Sequence, residues 1–200
     1  MRLFTGYFLT LVSIAIFSST QLTAEEIDKS SPRYAMKNTI DQLVEIVSEH
    51  PGEDHREMRH KEMREVIEPQ FDFEEMSRRS LGPKWNEIND EEKQEFIDLF
   101  SELLARTYLG RLDSIEEGMV QIGAEKVQDP RALIRTTVTY EGESFPIDYR
   151  MVKKENDWKV YDVIIENIGL VANYRNEFAG IVRKEQFSGL LQKLRDKINA

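Results

Sequence analysis

The sequence predicts an α+β fold in which helices pack over the apolar face of a four-stranded antiparallel sheet. Apolar residues recur at helical spacing through most of residues 31–111, whereas residues 118–165 alternate between apolar and polar in four short runs. Residues 158–178 begin with a strand pattern and continue as an amphipathic helix. A buried strand that leads directly into such a helix needs a second apolar layer, so we expect one two-layer domain.

Capping and breaking residues set the boundaries of the predicted helices. Ser31 before a proline is typical of a helix start, and the Pro-Gly pair at residues 51–52 ends this first helix. Asn89 and Glu92 have the spacing of a capping box and open the strongest helix pattern in the chain. The later predicted helices cover about residues 54–68, 74–81, 90–111, 168–184 and a last segment around 187–198.

The four predicted strands cover residues 119–127, 132–140, 145–153 and 158–165, and short turns between them predict an antiparallel meander. The registers that we expect place Val138 opposite Ile147 and Ile147 opposite Val163. One face of the sheet is then continuous and apolar, and the other carries Asp148, Arg150 and Asp162. The apolar face consists of Ile134, Val138, Tyr140, Phe145, Ile147, Tyr149, Met151, Tyr161, Val163 and Ile165.

The first 24 residues have the layout of a secretory signal peptide. Arg2 precedes an uncharged apolar run over residues 3–17, and we expect cleavage near Ala24, which leaves a single domain over residues 25–200. The chain contains no cysteine, which excludes disulfides, thiolate metal sites and a cysteine nucleophile. An exported domain without disulfides fits a bacterial periplasm. The net charge of −10 argues against nucleic acid as a partner.

No motif in the sequence predicts a metal or cofactor site. The three histidines, His50, His55 and His60, are spaced by five residues, so on a helix successive rings point in different directions and no metal is expected. Nucleophile elbows and phosphate-binding glycine loops are absent from the sequence, and we expect no cofactor.

An acid–base enzyme remains an alternative from the residues alone. It would combine Asp148 or Asp162 with Tyr149 or Tyr161 in an α+β cone. The expected registers direct both carboxylates away from the apolar face, so this alternative requires a different arrangement of the strands.

The amount of large apolar surface has two explanations. The sheet face is supplemented on the helices by Leu99, Leu103, Tyr108, Val171 and Tyr174. A filled hydrophobic core is the simpler explanation. A curved sheet with helices standing off it would instead enclose a cavity for a long apolar ligand. Periodicity does not distinguish the two.

Three segments resemble the toluene-tolerance family of periplasmic phospholipid-binding proteins of the MlaC type. They are PQFDFEEMSRRSLGPKW at residues 69–85, the helix of residues 89–108 that ends in LLARTY, and WKVYDVIIENIGLVANYRNEF at residues 158–178. The resemblance covers most of the chain after the signal peptide, in order and with similar spacing. It also agrees with the export signal and the apolar sheet face.

The resemblance implies a non-enzymatic phospholipid carrier of the Mla pathway, with acyl chains in a lipid-sized cavity between sheet and helices. Such proteins move phospholipid between an outer-membrane lipoprotein–porin complex and an inner-membrane ABC transporter with an MCE-type subunit, which maintains outer-membrane lipid asymmetry. A carrier of another lipid, such as a hopanoid, is the close alternative. The lipid-binding residues then expected are Leu99, Leu103, Tyr108, Ile134, Val138, Phe145, Ile147, Tyr149, Met151, Tyr161, Val163, Ile165, Val171 and Tyr174.

The chain departs from the family pattern where the last strand meets the helix. The family pattern has Gly and then Ser in this turn, whereas residues 166–170 read Glu-Asn-Ile-Gly-Leu. Asn167 tolerates a left-handed backbone, but the lost Ser removes a plausible helix cap. The motif residues Asp162, Asn173 and Arg175 are expected to hold this junction together.

Overall fold

The computed structural model describes residues 28–155 and 157–199, which form helices packed on one antiparallel sheet, so the predicted α+β class is confirmed. The predicted signal peptide and its cleavage site near Ala24 lie outside the described residues. None of the helices in this part of the chain is long and apolar enough to cross a membrane. The elements are α1 (Pro32–Glu49), α2 (Arg56–Ile67), α3 (Phe73–Leu81), α4 (Asp90–Tyr108), β1 (Val120–Gln128), β2 (Arg131–Tyr140), β3 (Glu143–Lys154), β4 (Asp157–Ile165), β5 (Ile168–Gly169) and α5 (Leu170–Asn199).

The predicted caps of α1 and α4 are confirmed. The hydroxyl of Ser31 accepts a hydrogen bond from the Tyr34 backbone N–H at 3.1 Å. At the start of α4 the Asn89 side chain accepts from the Glu92 N–H at 2.8 Å, and the Glu92 carboxylate accepts from the Asn89 N–H at 3.0 Å. These side chains satisfy N–H groups that have no partner within the helix, which fixes where each helix begins.

The predicted number of strands is wrong, because a fifth short strand precedes the last helix. Glu166 and Asn167 have φ angles of 48° and 69°, and this pair of left-handed residues reverses the chain in two residues. Ile168 then pairs with Ile165, and the helix begins at Leu170. The helical spacing of Ile168 concealed this strand, since two residues are too few to show a strand pattern.

The predicted register between β2 and β3 is wrong by two residues. Val138 pairs with Phe145 rather than with Ile147, because the turn between the strands contains only Glu141 and Gly142. Both turn residues have positive φ, as a two-residue hairpin requires. A shift of two residues leaves every side chain on the same face. The predicted apolar face of these two strands is therefore retained.

The predicted register between β3 and β4 is also wrong, and here one residue changes face. Ile147 pairs with Ile165, whereas Met151 pairs with Val160, so a bulge leaves Tyr161 without a partner. Tyr161 consequently leaves the apolar face, and its ring centroid lies 4.6 Å from the guanidinium carbon of Arg79. Val160 takes its place on the apolar face.

The last helix is a helical hairpin centred on Gln186, whose φ of 64° and ψ of 179° interrupt the helix. Lys197 lies 3.3 Å from the carboxylate of Glu177, 20 residues earlier in the chain. A straight helix would separate these residues by roughly 30 Å, so the two halves of α5 run back along each other. They correspond to the two helices that the sequence predicts.

Asp162 joins β4 to the start of α5. The residue is 4% exposed; one carboxylate oxygen accepts a hydrogen bond from Arg150 at 2.8 Å and the other accepts from the Val171 N–H at 3.1 Å. The carboxylate therefore caps the helix from a neighbouring strand and replaces the missing Ser. Arg175 adds a second link, because it donates to the backbone oxygen of Arg79 at 2.6 Å.

We predict that Asp162→Ala lowers the free energy of unfolding by about 3 kcal/mol, since it removes a helix cap and a charged hydrogen bond together. Chemical denaturation measures the loss. Asp148→Ala is the matched control, because Asp148 faces Arg135 only at 3.7 Å near the surface and its removal should change stability by about 0.5 kcal/mol or less. Equal losses in the two variants would contradict the assigned role of Asp162.

Candidate functional site

Three separate clusters of buried residues hold the molecule together. The helical core joins α3, α4 and α5 around Phe96, Phe100 and Phe178. The sheet core joins α1 to β2, β3 and β4 around Ile134. The third cluster, the α1–α2 core, joins α1, α2 and the segment of residues 109–115 around Met63. The half-buried Phe71 and Val163 pack against both the helical core and the sheet core, but the buried residues of the three clusters do not join. Space therefore remains between the clusters on the apolar side of the sheet.

That space is a cavity of about 660 Å³. Val138, Phe145 and Ile147 lie in the inner strands β2 and β3, towards the turn that joins them, yet they are only half-buried and pack into none of the three cores. They line the cavity instead, which favours the ligand explanation over a filled core. The other large apolar residues of its wall are Met36, Ile40, Leu43, Ile67, Phe71, Phe73, Met76, Leu104, Tyr108, Leu109, Leu112, Ile115, Met119, Val120, Tyr140, Tyr149, Met151, Val160, Val163, Ile165 and Leu170.

The residues predicted to bind ligand divide into two groups. Those that line the cavity are Tyr108, Val138, Phe145, Ile147, Tyr149, Met151, Val163 and Ile165. Those that do not line it are Leu99, Leu103, Ile134, Tyr161, Val171 and Tyr174.

The residues of the second group pack against other parts of the protein instead of lining the cavity. Leu103, Val171 and Tyr174 are buried in the helical core, and Leu99 packs at its edge. Ile134 is fully buried in the sheet core beneath α1, and the bulge turns Tyr161 off the apolar face. Helix α4 is apolar on a broad side, of which one part contacts α5 and another, with Leu104 and Tyr108, faces the cavity.

Sequence reasoning missed the contribution of the first two helices to the wall. Met36, Ile40 and Leu43 form the apolar stripe that predicts α1, and they face the cavity together with Ile67 of α2. Such a stripe predicts that one face of α1 is buried against apolar groups. It does not indicate whether these groups belong to the protein or to a ligand, so the sequence alone could not place these residues in a binding site.

The cavity opens at the end of the sheet that carries the β2–β3 and β4–β5 turns. We use the term mouth for the exposed wall residues at this end: Gly110, Arg111, Ser114, Tyr140 and Glu166. Tyr140 remains 42% exposed although it is large and apolar. The backbone of Thr139 donates to the Met119 oxygen at 2.8 Å, which fixes the segment after α4 against the end of β2 and completes the rim.

A buried ion network holds the segment after α4 against α2. Arg59 is 4% exposed and donates to the Asp113 carboxylate at 2.8 Å and to the backbone oxygen of His50 at the same distance. His60 lies 3.0 Å from the same carboxylate. Burial opposes the charge of Asp113, but the hydrogen bonds from Arg59 and His60 outweigh it, so the pKa of Asp113 is lowered. The network therefore fixes to α2 the segment that carries Arg111 and Ser114 of the mouth.

Two tyrosines have a raised pKa, one in the cavity wall and one in the helical core. Burial raises the pKa of Tyr149, in the cavity wall, to about 12, and burial followed by the neighbouring Tyr108 raises that of Tyr174 to about 12. Within the described residues, Asp148 and Asp162 lie outside the cavity wall. The Asp–Tyr pair that the acid–base alternative requires is thus not assembled in this cavity.

The fold and the cavity define a class of protein: a small α+β binding domain with a preformed apolar cavity that opens at one end. The sequence model of the MlaC protein family matches residues 37–196, and the chain belongs to this family. The resemblance stated from the three motifs is confirmed.

Two relatives are similar over most of the chain. The intermembrane phospholipid transport system binding protein MlaC of Haemophilus influenzae is 21% identical over 187 residues, which cover 90% of this chain and 87% of that protein. A solved structure of a phospholipid-binding protein from Ralstonia solanacearum, in complex with a phospholipid, is 28% identical with a TM-score of 0.75. The match covers 84% of this chain and 96% of that one.

We predict that Asp113→Asn lowers the free energy of unfolding at neutral pH by about 1–2 kcal/mol, because Arg59 and His60 lose the negative charge and one of the two acceptor oxygens that they share. Since the folded state lowers the pKa of Asp113, its contribution is fully present above the ordinary value of 3.8 and is lost as the pH falls below it. The difference between the two proteins should therefore shrink as the pH falls below 3.8.

Urea denaturation across this pH range measures the effect. Asp54→Asn is the control, since Asp54 is exposed in the turn before α2. A constant difference between wild type and Asp113→Asn at all pH values would show that the ionised carboxylate does not hold the segment.

Proposed function

We propose that this protein is a periplasmic phospholipid carrier, which holds acyl chains in the cavity and the head group at the mouth and performs no chemistry on the lipid. The observation that carries the proposal is the half-buried apolar part of the sheet near the β2–β3 turn, which faces the cavity instead of a helix. The family supports it, because the similar protein from Ralstonia solanacearum was solved with a phospholipid bound. Acyl-chain contacts are assigned to the apolar wall residues of the cavity.

The energetics of acyl chains suit a carrier of this kind. Each buried methylene is stabilised by about 0.8 kcal/mol relative to water, so a 16-carbon chain is held by roughly 10 kcal/mol. The lipid therefore does not escape into water at a useful rate. Transfer from the cavity into another apolar site is nearly balanced, since both surroundings are apolar. Exchange then requires an acceptor placed directly at the mouth.

We assign that acceptor to protein partners in the two membranes. The relative from Haemophilus influenzae is named as part of an intermembrane phospholipid transport system. The partners proposed for this chain are an inner-membrane ABC transporter with an MCE-type subunit and an outer-membrane lipoprotein–porin complex. With a net charge of −10, the protein is repelled by anionic membrane surfaces, which favours docking through proteins over direct adsorption.

The first test is mass spectrometry of organic extracts from the purified mature protein, beside an unrelated exported protein treated identically. The proposal expects stoichiometric glycerophospholipid in this protein and none in the control. Stoichiometric hopanoid would identify a carrier of another lipid. A folded protein that yields no lipid, even after incubation with phospholipid vesicles, would overturn the proposal.

We predict that Ile147→Asp or Val138→Asp abolishes lipid carriage, since a carboxylate in the apolar wall must be desolvated when acyl chains enter. Thr137→Asp is the matched control, because Thr137 neighbours Val138 on the opposite, exposed face of β2. Bound lipid is measured by mass spectrometry after circular dichroism has shown that each variant is folded. Folded wall variants that keep full occupancy would contradict the assignment of this face.

A further inference from the structure

Two carboxylates without a neutralising partner lie at the open end of the sheet, one in the cavity wall and one beside it. Glu166 is part of the cavity wall and is exposed. Glu143 pairs with Tyr140 in the β2–β3 register, and it lies two residues before Phe145, so it is on the cavity face of the sheet at its open end. Among the described residues, no Lys, Arg or His nitrogen lies within 4.0 Å of either carboxylate, as the ion pairs of the chain are all elsewhere.

Arg111 supplies a positive charge at the same opening. It lines the cavity, and its guanidinium carbon lies 5.5 Å from the ring centroid of Tyr108, which also belongs to the wall. Within the described part of the chain it forms no ion pair with a carboxylate. Its guanidinium has the geometry that binds phosphate oxygens in pairs.

The remaining charged residues of the wall are already engaged with each other. Arg64 lies 2.7 Å from Glu102 and 3.5 Å from Glu68, between α2 and α4. The charge of Arg64 is therefore balanced by these two carboxylates, away from the mouth. The charged wall residues at the mouth that have no ion-pair partner among the described residues are therefore Arg111 and Glu166, and Glu143 lies beside them at the same end of the sheet.

We infer that the mouth selects phospholipids whose head group carries a cationic amine over phospholipids with a net negative charge. Arg111 contacts the phosphate, which both classes share, while Glu143 and Glu166 attract the ammonium group and repel an anionic head. The inference rests on the proposed function, since it concerns the head group of a lipid held in the cavity. The sites are exposed to water, so we expect a selection of about three- to tenfold.

The test offers both classes to the protein from one surface. Delipidated protein is incubated at low salt with equimolar palmitoyl-oleoyl phosphatidylethanolamine and palmitoyl-oleoyl phosphatidylglycerol, dispersed together in an excess of neutral detergent so that no anionic membrane surface repels the protein. The bound lipids are quantified by mass spectrometry. Because both lipids are in the same micelles and have the same chains, the surroundings and the chain length affect them equally. We expect at least a threefold excess of the ethanolamine lipid, which decreases at high salt.

Two variants separate the roles of the charges. The double variant Glu143→Gln/Glu166→Gln should bring the ratio of bound lipids close to one, with total occupancy retained. Its matched control is Glu125→Gln/Glu155→Gln, which removes two exposed carboxylates towards the opposite end of the sheet and should leave the ratio unchanged. Arg111→Gln should reduce the occupancy of both lipids by a similar factor.

The outcomes distinguish this inference from the proposed function. Equal loading of both lipids by the wild type, or the same ratio in the mouth variant and its control, overturns the selection while the carrier function stands. Loading of neither lipid by folded wild-type protein overturns the carrier function itself.

Discussion

The apolar face of the sheet lacks a complete protein partner, and the rest of the structure depends on this constraint. A sheet face as apolar as that of β2, β3 and β4 is normally covered by helices. Here α1 covers the end of the sheet around Ile134, while Val138, Phe145 and Ile147 towards the other end stay half-buried. Stability must therefore come from three smaller cores around the cavity instead of one core beneath it. Each core includes residues from at least two helices or from a helix and the sheet.

Polar contacts occupy the positions where these cores must be kept in place. Asp162 fixes the start of α5 from β4, and Asp113 fixes the segment after α4 to α2 through Arg59. Both carboxylates lie behind the cavity wall and not in it. A charge in the wall would oppose an apolar ligand, whereas a charge behind the wall positions the chain without contacting the ligand. The arrangement keeps an open cavity rigid without filling it.

The sequence allowed prediction of the fold class, most helix boundaries and the apolar face, since these follow from local capping residues and from the two side-chain periods. The error of two residues at Val138 changed no assignment, because strands repeat every two residues. The single-residue bulge at Tyr161 did change an assignment, because it moved this residue off the apolar face, and nothing in the local sequence pattern indicates the bulge. The sequence also did not predict that α1 contributes to the cavity wall, or that one part of the apolar side of α4 contacts α5 while another faces the cavity. These depend on what lies opposite each helix, which periodicity does not report.

The cavity also explains why a carrier needs an opening with its own chemistry. Acyl chains are alike in all common phospholipids, so an apolar wall holds them with little discrimination and exchanges them with a membrane at nearly equal free energy. Any selection, and any control over when lipid leaves, must come from the part of the ligand that remains outside. The proposed function places that part against Arg111 and Glu166, beside the exposed ring of Tyr140. In that proposal, a docked partner contacts the head group and the apolar rim together. The mouth is thus the part of the cavity where selection between lipids and control over their release can arise.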